Sequence, residues 1–387
     1  MFVVTVLRDN LKMRFSHNGV TEMKTTSSSP IRAAGTALII AAIVVETAFS
    51  CLCCADAHSQ NSLQSIRTAR FVAGIAHDGN AAGDSFVKTA LYREYSQSVD
   101  ALWRSYEKKN HSKIISWSAS HLQGVDAHTV LYPFSGPDVL NALAFFPNAS
   151  EYVLIGMENP GRVFDLNSMP ADAVRRGLST LNDSLRQILD HNFFHTNIMK
   201  KNVGSGPLNS VSAIMQFFIV RSGYEVTRVR NIRFAGDGAI VEDIGAANPV
   251  AIEIMFRARR GGSEKKAVFI RADLSDGHFT RNTGLVRFLQ SRTDYITMLK
   301  AASYLMFRRQ FDDIRRLILA HSAVIVQDSS GIPYHYLKTP AWEVTLFGIY
   351  RGSIPLFRTR SQPELARDFA SAGGRRLDFL YGYTSLR

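Results

Sequence analysis

Three short loops of small and acidic residues stand directly behind apolar runs in this sequence. Ser135-Gly136-Pro137-Asp138 follows Thr129–Phe134, Glu158-Asn159 follows Tyr152–Met157, and Asp328-Ser329-Ser330-Gly331 follows Ala323–Gln327. Where parallel strands end together, the polar residues just past their carboxyl ends share one crevice, and that is where ligands bind. In such a crevice Asp138, Glu158 and Asp328 can serve as general acid, general base or holders of a divalent cation. Ser135 joins them as a candidate catalytic hydroxyl. Gly136, Asn159, Ser329, Ser330 and Gly331 are candidate ligand contacts, because small side chains let a ligand approach the backbone. The same residue types also make turns and helix caps wherever strands end, so a purely structural reading stands beside the chemical one.

A second cluster, Asp273-Leu274-Ser275-Asp276-Gly277-His278, offers Asp273, Asp276 and His278 as three donors for a divalent metal ion. A chain reversal at Asp276-Gly277 explains the same residues. His191 and His195 have the spacing of two helix-borne ligands, but Phe193 and Phe194 between them, and the missing glutamate after His191, favour ordinary helix-end histidines. Gly136 followed by Glu158 has the separation seen in a nucleotide-binding βαβ unit, in which a glycine loop meets phosphate and a later acid holds ribose. Against a nucleotide cofactor, the loop has one glycine, and Pro137 has no N–H to offer a phosphate. The chain contains no nucleophile elbow, HExxH pair, Walker loop, CxxC pair or kinase motif set.

Positioning these groups falls to a mixed α/β fold. Strand, turn, helix (Val139 to Phe146) and strand fit within one βαβ unit of about 30 residues, and the unbroken apolar strands predict a sheet covered by helices on both faces. An antiparallel meander is expected from about 226 to 273, its hairpins flanking Gly236-Asp237-Gly238 and Gly261-Gly262. Helices are predicted from the spacing of Tyr95, Val99, Leu102 and Tyr106, and of Val174, Leu178, Leu181, Leu185 and Ile188 with Asp172 as cap. Further helices are predicted over Val211 to Ser222, at Ile296, Leu299, Ser303 and Met306, at Phe311, Ile314, Leu317 and Ile318, and over Gln362 to Ser371. Trp342 to Ile349 and Leu377 to Tyr383 read as late strands.

The amino terminus reads as an export signal. An apolar core from Ala33 to Val45 follows Lys24 and Arg32 and leads to Ala55-Asp56-Ala57, the small-x-small pattern of a signal-peptidase site. Cleavage is expected after Ala57, with Met23 as the true start, 58–85 as a loosely ordered lead-in with one short helix and 86–387 as one composite domain. The core is shorter than the ~20 apolar residues of a bilayer span, so no stable transmembrane anchor is expected; lipid attachment through Cys51 is the lesser alternative. All three cysteines (Cys51, Cys53, Cys54) precede the cut, which removes disulfides and thiol chemistry from a mature periplasmic or extracellular chain. The 46% hydrophobic content supports a packed core, and the net charge of +12 suits an anionic envelope polymer or lipid surface as partner. Two readings follow: an extracytoplasmic hydrolase using the strand-end crevice, or a non-catalytic envelope protein binding an anionic partner through its basic exterior.

Overall fold

The computed structural model describes residues 2–8, 62–75, 84–125, 128–191, 206, 208–300, 303–353, 355–372, 375–379 and 381. The strands among these residues are β1 (Phe2–Arg8), β2 (Thr129–Pro133), β3 (Glu151–Gly156), β4 (Tyr224–Phe234), β5 (Ile240–Glu242), β6 (Ala251–Ala258), β7 (Lys265–Arg271), β8 (Tyr295–Leu299), β9 (Ser322–Gln327) and β10 (Trp342–Gly348). They form one sheet in the order β10-β1-β9-β8-β2-β3-β7-β6-β4-β5.

The five middle strands, β9-β8-β2-β3-β7, are mutually parallel. Parallel strands lie between two helical layers, so their apolar side chains alternate between two cores rather than between core and water. Val130, Tyr132, Tyr152, Leu154, Ala267 and Phe269 enter one core. Leu131, Val153, Ile155, Val268 and Ile270 enter the other. Helices Ala90–Tyr106, Ala171–His191 and Val211–Arg221 cover the first face. Thr283–Gln290, Asp312–His321 and Pro363–Ala372 cover the second.

The expected βαβ unit is β2, the helix Val139–Phe145 and β3. The meander forms β4 to β7, and its last strand pairs parallel with β3, which joins the two parts of the sheet. Val174, Leu178, Leu181, Leu185 and Ile188 are all buried on one face of their helix. Asp172 lies inside that helix, pairing with Arg175 and Arg176, rather than ahead of it as a cap.

The spacing of Ile296, Leu299, Ser303 and Met306 does not mark a helix. Tyr295–Leu299 is β8, and every residue in it is buried. A strand covered on both faces carries apolar residues at every position, so it satisfies a helical spacing as readily as its own. Leu377 to Tyr383 is not a strand among its described residues. Instead Arg375 bridges Phe347, and the Tyr381 hydroxyl donates to the Val326 carbonyl at 3.0 Å.

The lead-in at 58–85 contains a helix over 62–72 whose Ala69, Phe71 and Val72 are buried in the first core. Tyr92 donates to the Phe71 carbonyl at 3.1 Å and Tyr95 to the Val72 carbonyl at 2.5 Å, so this part of the chain packs as an integral element. The apolar core Ala33–Val45, Met23, Ala57 and the three cysteines lie outside the described residues. No helix among the described residues is long and apolar enough to cross a membrane.

Upstream of the expected start, β1 pairs antiparallel with both β9 and β10. A chain beginning at Met23 loses that strand and exposes two unpaired strand edges, which invite association. Such a chain is expected to melt at least about 5 °C below the full chain and to self-associate, as read by calorimetry and size-exclusion chromatography. An unchanged melting temperature with a monomeric profile would show that β1 contributes nothing to the sheet.

Candidate functional site

Numbered within the parallel set alone, the strands run 5-4-1-2-3 across the sheet: β2 is followed by β3 and β7 on one side, then by β8 and β9 on the other. The chain therefore reverses its winding between β2 and β8, and the carboxyl ends of those two strands flank the crevice where such sheets bind ligands.

Asp138 comes from the turn after β2, and Lys300 directly follows β8. Their side chains meet at 3.4 Å with each 1% exposed. The Tyr132 hydroxyl donates to Asp138 Oδ2 at 2.8 Å, and the Asn141 amide donates to the same carboxylate at 2.9 and 3.1 Å. The Asn141 backbone N–H reaches Asp138 Oδ1 at 3.2 Å, so Asp138 also caps the helix Val139–Phe145. Asp328 lies just past β9, at the same edge of the parallel strands. Burial, the Asp328 charge and the Asp138 charge together raise the Tyr381 hydroxyl well above its ordinary pKa. Burial, Asp138 and more weakly Asp328 do the same to Tyr132. Both phenols therefore stay protonated and act as donors. The structure thus joins Asp138 to Lys300 and Tyr132, and the Asp138 and Asp328 charges both act on Tyr132 and Tyr381.

Glu158 is buried two residues past β3. A Cβ added at Gly156 would lie 2.4 Å from Glu158 Oε2 and 3.0 Å from the Gly136 Cα, so Gly156 is the gap that lets Glu158 fold back against the β2 turn. Gly136 itself sits at φ 56°, and Phe134, just before it, at φ 59°. A left-handed phenylalanine costs about 1–3 kcal/mol and persists only where its surroundings hold it. Here the ring packs edge-on to Phe311, 5.7 Å between centroids.

Several predicted ligand contacts are committed to their own loops. The Ser135 hydroxyl donates to the Gly136 carbonyl at 2.8 Å, rather than to a base that would activate it. Asn159 Oδ1 accepts from the Gly161 N–H at 3.0 Å. Asp328 Oδ1 accepts from the Ser330 N–H at 2.8 Å and its hydroxyl at 2.7 Å, and the Ser329 carbonyl accepts from Gln362 at 3.0 Å. Gly331 leaves room for Gln327, whose side chain bonds both backbone groups of Ile332.

The second cluster divides. His278 approaches Asp273 at 3.4 Å and Ser275 at 3.1 Å, whereas Asp276 turns away to accept the Asp313 N–H at 2.9 Å. Asp276 is thereby spent on the start of the helix Asp312–His321 and does not face the other two donors. Among the described residues no group of three or more His, Cys, Asp or Glu side chains is placed to hold a metal ion. His195 and the His191 side chain lie outside the described residues.

Lys300 and Tyr132 carry the site, and sequence reasoning passed over both. Tyr132 sat inside an apolar run read only as strand. Lys300 lies inside a run read as helix; once Tyr295–Leu299 is recognised as a buried strand, Lys300 becomes a further strand-end polar residue. No family model, curated protein or solved structure matches the chain.

One further layer rests on the cluster. Burial raises the Tyr106 hydroxyl, the Asp138 charge adds to that, and a hydrogen bond with Asn141 opposes it. Tyr106 ends the helix that runs into a π-helical turn, Glu107–His111, and the His111 ring lies 5.2 Å from Trp103 and 6.5 Å from Tyr106. Burial lowers the His111 pKa to about 4. The unfolded chain takes up this proton below about pH 6.5 and the folded chain only near its lowered value. The stability owed to neutral His111 is full above the unfolded value and declines as pH falls towards the folded one. His111→Phe is expected to abolish about 3 kcal/mol of acid-induced loss across that window, measured by urea unfolding at a series of pH values. An identical pH profile in the variant would show that His111 is not the group responsible.

Proposed function

We propose that this protein is an enzyme performing acid–base chemistry, hydrolysis in the first instance, on a small polar molecule bound at the carboxyl ends of β2, β3, β8 and β9. The observation that carries this reading is the buried Lys300–Asp138 pair across the switch point. Removing two charges from water costs several kcal/mol per ion, and apolar replacements often do as well or better for stability. A costly pair placed where ligands bind is accounted for by function. At 3.4 Å the contact is longer than a tight charge-assisted bond of about 2.8 Å, so a substrate carbonyl or hydroxyl can replace it. Lys300 then serves as proton donor, Asp138 as its acceptor partner, and Glu158 and Asp328 as flanking acids.

The substrate at this turn is non-phosphorylated. The helix after β2 has its amino end occupied by the Asp138 carboxylate, and Pro137 contributes no N–H, so a phosphate there meets negative charge instead of donors. This disfavours a nucleotide cofactor.

The alternative, an envelope protein holding an anionic partner, rests on the net charge of +12. The basic residues around the Gly261-Gly262 turn support it little. Lys265 is bonded to the Ala149 carbonyl, Lys266 to Glu151 and Arg259 to the Val220 carbonyl.

Export is part of the proposal, supported by the Ala33–Val45 core and the Ala55-Asp56-Ala57 triplet and opposed by the seating of β1 in the sheet. Amino-terminal sequencing of protein recovered from outside the cytoplasm is expected to begin near His58. Recovery only inside cells, with an intact first residue, would overturn it.

The catalytic reading is tested with a panel of chromogenic esters, amides and glycosides. The double variant Lys300→Met, Asp138→Asn is expected to keep or raise the melting temperature while turnover falls by at least about 100-fold. No turnover by the parent protein on any member of the panel, or equal turnover by the variant, would refute hydrolysis at this site.

A further inference from the structure

Beside the end of β9 lies a cavity of about 490 Å³, a size that suits small organic ligands. Its walls come from the loop after β8, the turn Tyr334–Tyr336 and the start of the helix Pro363–Ala372. We infer that this cavity binds a planar aromatic molecule carrying one negative charge, an assignment that does not depend on the acid–base reading of the Lys300–Asp138 site.

The charge follows from which lining groups already have partners. Asp312 is ion-paired with Arg315, and Arg315 also donates to the Met306 carbonyl at 2.5 Å. Glu364 is paired with Lys338 at 3.0 Å, and Lys338 also meets Asp368 at 3.2 Å. With those pairs closed, the full charge left facing the cavity is the guanidinium of Arg309, which forms no ion pair among the described residues. Arginine presents a flat fork of donors matched to a carboxylate or sulfonate.

The planar body follows from the wall. The Arg315 guanidinium lies over the Tyr336 ring, 4.6 Å from its centroid, and the His335 ring packs on Tyr336 at 4.2 Å. His335 is exposed and lines the cavity, so its ring is accessible to a planar partner. A planar ligand extends the stack through ring–ring contact while its acidic group reaches Arg309.

The test uses 2-naphthoate and its uncharged analogue 2-naphthamide on the full chain, followed by calorimetry and ligand-observed NMR. Naphthoate is expected to bind one-to-one with Kd below about 1 mM, and naphthamide at least about tenfold more weakly. Arg309→Met, at an exposed position, is expected to weaken naphthoate at least about fivefold and leave naphthamide unchanged. Glu364→Gln, which removes an acid from the wall, is expected to tighten naphthoate. Equal binding of the two probes, undiminished naphthoate binding in Arg309→Met, or no binding of either probe would overturn the assignment. None of these readouts involves turnover, so they separate this inference from the proposed hydrolysis.

Discussion

Covering the five parallel strands on both faces forces nearly every polar group of the sheet to its ends. Residues on one strand alternate between two apolar cores, and a charge in either core would lose its hydration without compensation. The polar side chains that remain inside the sheet are paired, as Thr297 is with Ser322 at 2.7 Å. At the amino end of β3, Glu151 is held by both arms of the Arg292 guanidinium at 2.7 and 2.9 Å and by Lys266 at 3.0 Å. Burial by itself would raise that carboxyl, but these cations outweigh it and keep the pKa below the ordinary value. The Glu151 cluster closes one end of the sheet, and the Lys300–Asp138 cluster lies at the other.

That constraint also explains what the sequence could disclose. Apolar runs bounded by turn residues marked β2, β3 and β9, because a doubly covered strand is uniformly apolar and its ends must carry the polar residues. The same uniformity hid β8. Tyr295–Leu299 has no alternation to distinguish it from part of a buried helix, and Lys300 was lost with it. For the helix over 62–72 it was the packing, not the helix, that stayed hidden. Its surroundings are rich in Ser, Asn and Ala, and its burial depends on Tyr92 and Tyr95, which pack on it from a later helix. Pairing of β1 with β9 and β10 depends on partners more than 300 residues away in the chain, and no local pattern encodes that.

That Asp138 and Asp328 stand at the same edge of the sheet was legible from strand ends alone, given the rule that parallel strands finish on one side. The tyrosines between them were not. The Tyr132 hydroxyl reaches Asp138 through the alternation of a buried strand, and the Tyr381 hydroxyl reaches the Val326 carbonyl of β9 from the carboxyl-terminal segment. Side-chain direction at a strand end is a property of the sheet, and composition does not reveal it.

Sequence separation distinguishes the bonds that close turns from the one that calls for another explanation. Asp328 to Ser330, Asn159 to Gly161, Asp273 to Ser275 and Asp138 to the Asn141 N–H are each two or three residues apart. Such contacts are what Asx turns and helix caps make for their own sake, and they carry no information about a ligand. Lys300 and Asp138 are 162 residues apart. Neither turn needs the other's charge to close, since Asp138 already caps its helix through Asn141. Leucine or methionine at 300 would fill the same volume without desolvating an ammonium group. The strained Phe134, the gap at Gly156 and the protonated Tyr132 and Tyr381 surround that same pair. Local turn chemistry therefore accounts for most of the candidate residues singly, and it leaves the long-range pair at the switch point as the feature it does not explain.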